Sequence, residues 1–181
     1  MYVKAITTEK EFDFVKNEWI NFEKKVDNKN ITSSYLWQRT WWQHFGRVNN
    51  GPYENGKKLS ILFLYNEKKE LRAIAPFCIV KRKFKKTFHY TVVEFIAQQW
   101  GATYLDFISS NLSKKEFDYV FDWLKKNKKY DLIHLCYIPE FTSNIDLKSG
   151  LIYKKKLSVN KDIRNNFLKE LNKKNTEGKM I

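Results

Sequence analysis

The run from Leu59 to Tyr65 constrains the fold more than any other part of this chain, because it is apolar at every position but Ser60. A strand with one face in water alternates apolar and polar residues, whereas an uninterrupted apolar run predicts a strand covered on both faces. The turn-forming segment 66–70 follows, and the apolar run from Leu71 to Val80 predicts the returning strand of a hairpin. Pro76 in the middle of that strand has no backbone N–H, which predicts an edge position or a bulge.

Three segments have the apolar period of amphipathic helices. The first begins at the capping box 8–11, the second at a serine cap in 33–34, and the third at the capping box 113–116. The predicted buried stripes are Phe12, Val15, Trp19, Phe22 and Val26 in the first helix, Trp37, Trp41, Phe45 and Val48 in the second, and Phe117, Val120, Phe121 and Leu124 in the third.

Further strand-like segments complete the fold class. The predicted order is two helices, a three-strand meander, one more strand, a helix and a final strand. This order predicts an α+β domain in which helices pack on one mixed, mostly antiparallel sheet. We expect that domain to span residues 1–150 and a basic, helical tail or linker to follow over residues 151–181. The further strands are Phe88–Ala97, Tyr104–Ile108 and Asp131–Ile138, and a basic turn is predicted over Lys81–Lys86.

The net charge of +14, from 34 basic and 20 acidic side chains in 181 residues, favours an anionic partner. The joint abundance of lysine, asparagine and isoleucine nevertheless indicates a compositional bias, and lysine far outnumbers the arginine that phosphate-binding sites prefer. We therefore do not expect nucleic acid as the partner. No segment is apolar and long enough for a signal peptide or a transmembrane segment, so we expect a cytoplasmic location.

The sequence contains no recognisable catalytic or metal site. It has no G-x-S-x-G, P-loop or G-x-G-x-x-G motif. His44, His89 and His134 lie far apart, and none has a cysteine or histidine at the spacing of metal ligands. Cys78 and Cys136 lie inside apolar runs, which predicts buried structural thiols, and His134 is expected to be structural as well. We assign no catalytic residue, no metal and no bound cofactor.

Five residues are candidates for substrate binding. Trp42 lies off the predicted stripe of its helix, so it is a candidate wall of a ligand groove. Asp106 shares one face of a predicted strand with Tyr104, directly after a loop that contains Gln99 and Trp100. A carboxylate within an apolar strand must be hydrogen-bonded or lie at a cleft, and both alternatives are open for Asp106.

Four short motifs, taken in order, resemble one family. The segment 33–46 resembles the aromatic F/Y-x-x-W…W…F helix of GNAT-like acetyltransferases associated with bacterial polysaccharide and cellulose biosynthesis. The segment 71–77 is similar to that family's l-v-a-i-a-P-l strand. The segment 101–107 resembles its s-D-Y-l-D motif, with threonine in place of the first aspartate, and the segment 131–140 resembles its w-D-v-l-d-L…i-P strand. Together the motifs cover residues 30–141.

The resemblance implies two GNAT-like folds in tandem, as in the FemAB aminoacyl transferases. The second fold would handle acyl-CoA, and the acceptor would lie near the junction. The coenzyme A turn of such folds, Q/R-x-x-G-x-G/A, cradles the pyrophosphate with backbone N–H groups at a helix N-terminus. Its nearest match here, residues 98–103, fails at Thr103 and leads into a predicted strand. A segment near 159–175 would lead into the second fold.

The resemblance therefore implies the N-terminal, substrate-side half of an N- or O-acyltransferase that acts on a cell-envelope sugar or an amino group and is not active alone. Acetyl-CoA or another acyl-CoA is expected for a complete two-domain relative, and the expected partners are a second GNAT-like domain or chain and a small-molecule or glycan acceptor. The alternative is a non-catalytic basic module that binds an anionic partner or a separate catalytic chain. A truncated product without a function of its own also stays open.

Overall fold

The structure is a computed structural model, and its described residues form one sheet with helices on both faces. It describes residues 1–28, 30–46, 53–84, 88–98, 102, 104–128, 130–136 and 152–153. The strands are β1 (Tyr2–Ile6), β2 (Tyr53–Tyr65), β3 (Leu71–Phe84), β4 (Phe88–Phe95), β5 (Leu132–His134) and β6 (Ile152–Tyr153); the helices are α1 (Glu9–Phe14), α2 (Lys16–Lys25), α3 (Tyr35–Trp41) and α4 (Lys114–Asn127), with a 3-10 turn at Ile31–Ser33 and a π-helical turn at Trp42–Gly46.

The strands of the sheet follow their order in the sequence, from β1 at one side to β6 at the other. All neighbouring pairs are antiparallel except β4 and β5, which run parallel. A parallel pair needs a crossover connection, and α4 supplies it. The predicted fold class, α+β with a mixed, mostly antiparallel sheet flanked by helices, is confirmed.

Helices cover both faces of the sheet, and each face is named here after one of them. On the α2 face, the ring of Trp19 lies 5.8 Å from that of Phe63 on β2, between centroids. On the α4 face, the ring of Phe121 lies 6.3 Å from that of Phe77 on β3. Residues 59–65 are each at most 6% exposed. The prediction that this strand is covered on both faces is therefore confirmed.

The first predicted helix begins at its capping box but is split in two. Thr8 Oγ1 accepts a hydrogen bond from Glu11 N at 3.2 Å, and the Glu11 carboxylate accepts one from Thr8 N at 2.9 Å. The backbone leaves helical geometry at Val15 (φ −84°, ψ 6°), which separates α1 from α2. Trp19 N still donates to Val15 O at 2.9 Å, so the two helices stay in phase. The predicted side chains Phe12, Val15, Trp19 and Phe22 are buried, whereas Val26, just after the end of α2, is only half-buried.

The second predicted helix starts at Ser34, whose Oγ accepts a hydrogen bond from Trp37 N at 3.3 Å. After α3 the helix widens into the π-helical turn. Trp42 is 3% exposed, whereas Phe45 is 46% exposed. The predicted stripe is therefore correct at Trp41 and wrong at Phe45, and Val48 lies outside the described residues. The buried side chains are those of Tyr35, Gln38, Trp41 and Trp42.

Gly46 ends the π-helical turn directly against the indole of Trp42. A Cβ atom at Gly46 would lie 2.5 Å from Trp42 Cδ2, which is too close for real atoms. Gly46→Ala is therefore expected to lower the free energy of unfolding by about 1–3 kcal/mol, the usual cost of overpacking. Urea denaturation measures the loss, and Gln43→Ala on the exposed side of the same turn is the control. Equal stabilities of the two variants would contradict the packing of Trp42 on Gly46.

The strand β3 is an interior strand, and Pro76 pairs in regular register with Ile61, so neither the predicted edge position nor the predicted bulge is found at Pro76. The Pro76 carbonyl accepts a hydrogen bond from Ile96 N at 2.8 Å, one residue beyond the end of β4. Because the N–H and C=O groups of one residue point the same way in an antiparallel pair, the missing N–H faces the place where β4 has ended. The predicted strand Tyr104–Ile108 is also reduced, to one bridge between Ile74 and Ile108.

The helix α4 follows its predicted capping box and buries the predicted stripe. Ser113 Oγ accepts a hydrogen bond from Glu116 N at 3.3 Å, and the Glu116 carboxylate accepts one from Ser113 N at 2.9 Å. Ser113→Ala is expected to lower the free energy of unfolding by about 1 kcal/mol, because a helix N–H loses its acceptor. The exposed Ser110→Ala is the matched control for urea denaturation, and a Ser113→Ala variant as stable as that control would contradict the cap.

In the tail, residues 152–153 form β6 and pair with β5. The remainder of 151–181, including the segment near 159–175 that was predicted to lead into a second fold, lies outside the described residues. Within the described part of the chain, none of the helices combines the length and the apolar character that crossing a membrane requires.

Candidate functional site

The parallel strands β4 and β5 part at their carboxyl ends. Their backbone ladder covers the pairs Val92–Leu132 and Val93–Ile133. Beyond it, the side chain of Gln98 bridges the two strands: Nε2 donates to the carbonyl of residue 134 at 2.9 Å, and Oε1 accepts from the backbone N of residue 136 at 3.0 Å.

A tight turn after β4 brings Gln98 into this position. Ala97 has a positive φ of 70°, and Gln98 N donates to Phe95 O at 3.2 Å. The turn folds the chain back, so the amide lies between the strand ends and is only 5% exposed. Ligands of sheets with parallel strands bind outside the carboxyl ends of those strands, where neighbouring connections diverge. The strand ends that Gln98 bridges therefore form the candidate site.

Four polar side chains of the α2 face surround this place. The register sets Glu94 opposite Cys78 on the α2 face, and the pairing of β4 with β5 puts His134 and Cys136 on that face too. The long side chain of Arg82 reaches the carboxylate of Glu94. We call the set Arg82, Glu94, Gln98, His134 and Cys136 the strand-end cluster.

Arg82 and Glu94 form an ion pair that is largely removed from water. Their side chains are 19% and 3% exposed. Burial raises the pKa of Glu94, and the guanidinium of Arg82 opposes that rise. Arg82 belongs to the predicted basic turn Lys81–Lys86, but β3 continues through Phe84, and this places Arg82 in the strand.

His134 and Cys136 lie in contact, with 3.0 Å between His134 Nε2 and Cys136 Sγ. Burial, and then the charge of Arg82, lower the pKa of His134. Burial, and then the charge of Glu94, raise the pKa of Cys136. Both shifts favour the uncharged forms, so at neutral pH a thiol faces a neutral imidazole. A neutral imidazole is a proton acceptor, and it is suited to general-base chemistry.

The free energy of unfolding is expected to fall less steeply with decreasing pH when His134 is replaced with glutamine. Because the folded-state pKa of His134 is lowered, the unfolded chain takes up this proton first as the pH falls. The contribution of His134 to stability is present above the unfolded pKa of about 6.5 and is lost as the pH falls through the folded pKa. Urea midpoints across this range measure the effect. The exposed His44→Gln is the control. If the urea midpoints of wild type and His134→Gln changed equally with pH, the prediction would be contradicted.

Lys57 connects the π-helical turn to the same face of the sheet. Its Nζ donates to Phe45 O at 2.9 Å and lies 5.3 Å from the ring centroid of Trp41. Burial lowers the pKa of Lys57, and the neighbouring Cys78 and Glu94 oppose this change. The helical cover of the α2 face therefore extends to the border of the strand-end cluster.

The predicted substrate-binding residues lie in different environments. Trp42 is in the core at 3% exposed, which leaves little of its ring for a ligand. Tyr104 is 59% exposed, and its carbonyl accepts hydrogen bonds from Asn30 Nδ2 at 3.2 Å and from Thr32 Oγ1. Asp106 is 9% exposed and accepts a hydrogen bond from the N–H of the residue after it at 2.7 Å. The other two predicted residues, Gln99 and Trp100, lie outside the described residues.

The thiols differ in their surroundings. Both cysteines are free. Cys78 is 1% exposed, as predicted for a structural thiol, and burial raises its pKa strongly. Cys136 is only half-buried, so the prediction of a buried thiol does not hold for it. Among the described residues, no group of three or more His, Cys, Asp and Glu side chains is placed to hold a metal ion.

A second concave region lies beside the end of α4, on the α4 face. It is a cavity of about 520 Å³. The Asp131 carboxylate on its wall accepts hydrogen bonds from Thr91 N at 2.7 Å and from Thr91 Oγ1 at 2.9 Å. Lysines supply most of the charge around it. The lining residues are Thr91, Lys125, Lys126, Asn127, Lys128, Tyr130 and Asp131.

The chain matches no model of a protein family, no curated protein and no solved structure.

Proposed function

We propose that this chain is the N-terminal, substrate-side half of a GNAT/FemAB-like N- or O-acyltransferase, acting in the cytoplasm on a cell-envelope sugar or an amino group. A second GNAT-like domain or chain would hold the acyl-CoA. The observation that carries the proposal is the parting of β4 and β5 in a sheet that is otherwise antiparallel. GNAT-like sheets have a V-shaped splay between two parallel strands, and a parallel ladder that stops after two residue pairs is compatible with such a splay. The resemblance of residues 30–141 supports it independently.

The chemistry of the strand-end cluster is compatible with acyl transfer. The acceptor hydroxyl or amine must lose a proton as it attacks the acyl carbonyl, and a neutral imidazole such as that of His134 accepts one. The carbonyl oxygen gains negative charge in that step, and a nearby cation such as Arg82 stabilises it. Tyr104 offers an exposed ring on which a sugar face packs.

Titration calorimetry with acetyl-CoA at moderate salt tests where the donor is held. We expect no saturable binding from a chain whose thermal melt is cooperative, because the turn at 98–103 departs from the coenzyme A motif. Saturable one-to-one binding would overturn the assignment of the donor to a second domain.

Thermal melts with glucosamine or glucose as probes test the acceptor side. A probe at one hundred times its Kd is expected to stabilise the folded chain by about 2.7 kcal/mol. Tyr104→Ala should reduce that shift, whereas Phe14→Ala, whose ring is 83% exposed elsewhere, should not. No shift with either sugar would count against a sugar acceptor and leave the amino group of another molecule to be tried with methylamine.

The alternative, a non-catalytic basic module, is favoured by the lysine-lined cavity at the end of α4. It would bind a phosphate-bearing ligand, with inorganic pyrophosphate as the probe. Lys126→Gln should weaken binding and lower its dependence on salt, whereas the distant, exposed Lys10→Gln should not. Binding that is absent, or insensitive to Lys126, would remove this candidate.

A further inference from the structure

Cys136 and His134 are a thiol and an imidazole at the carboxyl end of β5. They lie two residues apart, so their side chains project from the same face, and 3.0 Å separates Cys136 Sγ from His134 Nε2. Both are partly exposed, unlike Cys78, which is 1% exposed. The pair therefore combines contact with access from solvent, which a structural thiol does not need.

The contact with His134 supplies the base that a thiol nucleophile needs, although burial raises the pKa of Cys136 and disfavours a resting thiolate. A thiol becomes a nucleophile when a base within hydrogen-bonding distance takes its proton. The shifts of the two pKa values keep the proton on sulfur and leave the imidazole neutral. Charged groups approach the pair from neighbouring strands, Arg82 from β3 and Glu94 from β4, and the Gln98 amide holds the backbone on either side of it. The base, the nucleophile and a cation thus meet where β4 and β5 part.

We propose that Cys136 is an acyl-accepting nucleophile with His134 as its general base, so that the acyl group is held on this chain as a thioester before it reaches the acceptor. The inference rests on the proposed function, because it assigns a step to the substrate-side half. It gives that half a chemical role in addition to binding.

The acyl group passes to Cys136 and then to the acceptor in two steps. His134 Nε2 takes the Cys136 proton while Sγ attacks the carbonyl carbon of the donor ester or thioester. The new C–S bond forms, the bond to the donor's leaving group breaks, and the leaving group takes the proton from His134. The acceptor amine or hydroxyl then attacks the Cys136 thioester, His134 takes the acceptor's proton, and the proton returns to Sγ as the C–S bond breaks. No oxidant or reductant is involved.

The test uses p-nitrophenyl acetate, a small activated ester that contains no coenzyme A. With the full chain we expect a burst of one p-nitrophenolate per chain and a mass increase of one acetyl group, which peptide mapping places on Cys136. Cys136→Ala should abolish the burst. His134→Gln should slow it by about 10²–10⁴-fold, the usual effect of a general base. His44→Gln, on the exposed π-helical turn, is the control.

The pH profile separates catalysis from a structural role. A thiol that reacts without help speeds up until its own pKa, whereas an imidazole-assisted thiol levels off once the imidazole is neutral. We expect an early plateau in the wild type and its loss in His134→Gln, with thermal melts to verify folding. Label confined to lysines or the N-terminus, no label at all, or equal rates in wild type and His134→Gln would each overturn the proposal. Because the probe lacks coenzyme A, the outcome is independent of acetyl-CoA binding.

Discussion

Replacing Trp19 with alanine is expected to lower the free energy of unfolding by about 3–5 kcal/mol, which is typical of a large aromatic deletion in a core. Trp19 is 0% exposed. Its ring lies between helix and sheet, 5.5 Å from Phe12, 5.8 Å from Tyr35 and 5.8 Å from Phe63, between centroids. The loss would leave a cavity at the point where α1, α2, α3 and β2 meet, and neighbouring rings could not fill it without leaving their own contacts.

Urea denaturation measures the effect, and Phe14→Ala is the matched control. Phe14 is an aromatic residue of the adjacent helix but is 83% exposed, so its removal is expected to change stability by less than about 0.5 kcal/mol. A Trp19→Ala variant within that small range would contradict the assignment of Trp19 to the centre of the core.

Replacing Arg82 with methionine is expected to lower the free energy of unfolding by about 3–5 kcal/mol at neutral pH. The substitution keeps much of the side-chain volume but removes the guanidinium that pairs with the Glu94 carboxylate, which is 3% exposed. Removing one partner of a buried pair is costly because the remaining charge has lost both water and its partner.

The pH dependence of this loss of stability shows whether the buried charge of Glu94 causes it. The folded-state pKa of Glu94 is already raised by burial, and removal of Arg82 should raise it further. The folded variant then binds a proton more readily than the unfolded chain, so its deficit against wild type should shrink as the pH falls towards about 4.5. The double variant Arg82→Met, Glu94→Met should recover most of the stability at neutral pH. A deficit that is independent of pH and persists in the double variant would mean that lost packing, and not the charge, is responsible.

Local patterns in the sequence predicted the parts of the fold that depend on local interactions. The capping boxes at Thr8 and Ser113 both form, since a cap involves residues only three apart. The run 59–65 is covered on both faces, because burial of that strand follows from its composition wherever the covering helices come from. The short strand β1 was not predicted, because five residues at a chain terminus carry too little periodicity to identify.

The failures arise where tertiary contacts override a local pattern. The buried row of Tyr35, Gln38 and Trp42 has ordinary helical spacing, but its middle member is a glutamine whose amide donates to the Thr32 carbonyl, and a search for apolar residues therefore passes over the row. Pro76 occupies an interior strand because β4 ends opposite it, which depends on a strand that starts twelve residues later in the sequence. The end of β4 is not visible from the residues around Pro76, and the hydrogen bond to Thr32 is not visible from the residues around Gln38.

The strand-end cluster was missed for the same reason. Glu94 is a carboxylate within an apolar run, which is the feature that made Asp106 a candidate, so this one member could have been found. The spacing of two between His134 and Cys136 was also visible. The bridge from Gln98 to the backbone of His134 and Cys136, which lie 36 and 38 positions later in the sequence, brings the cluster together. That bridge depends on the crossover through α4 and on which strands become neighbours.

The pairing of β6 with β5 determines where the rest of the chain starts. Ile152 lies opposite His134 in this antiparallel pair. The backbone of His134 therefore has β6 on one side and the amide of Gln98 on the other. Because both sides are occupied, an extended segment of a partner cannot add itself as a strand at this position. A ligand of His134 and Cys136 must instead approach across the face of the sheet.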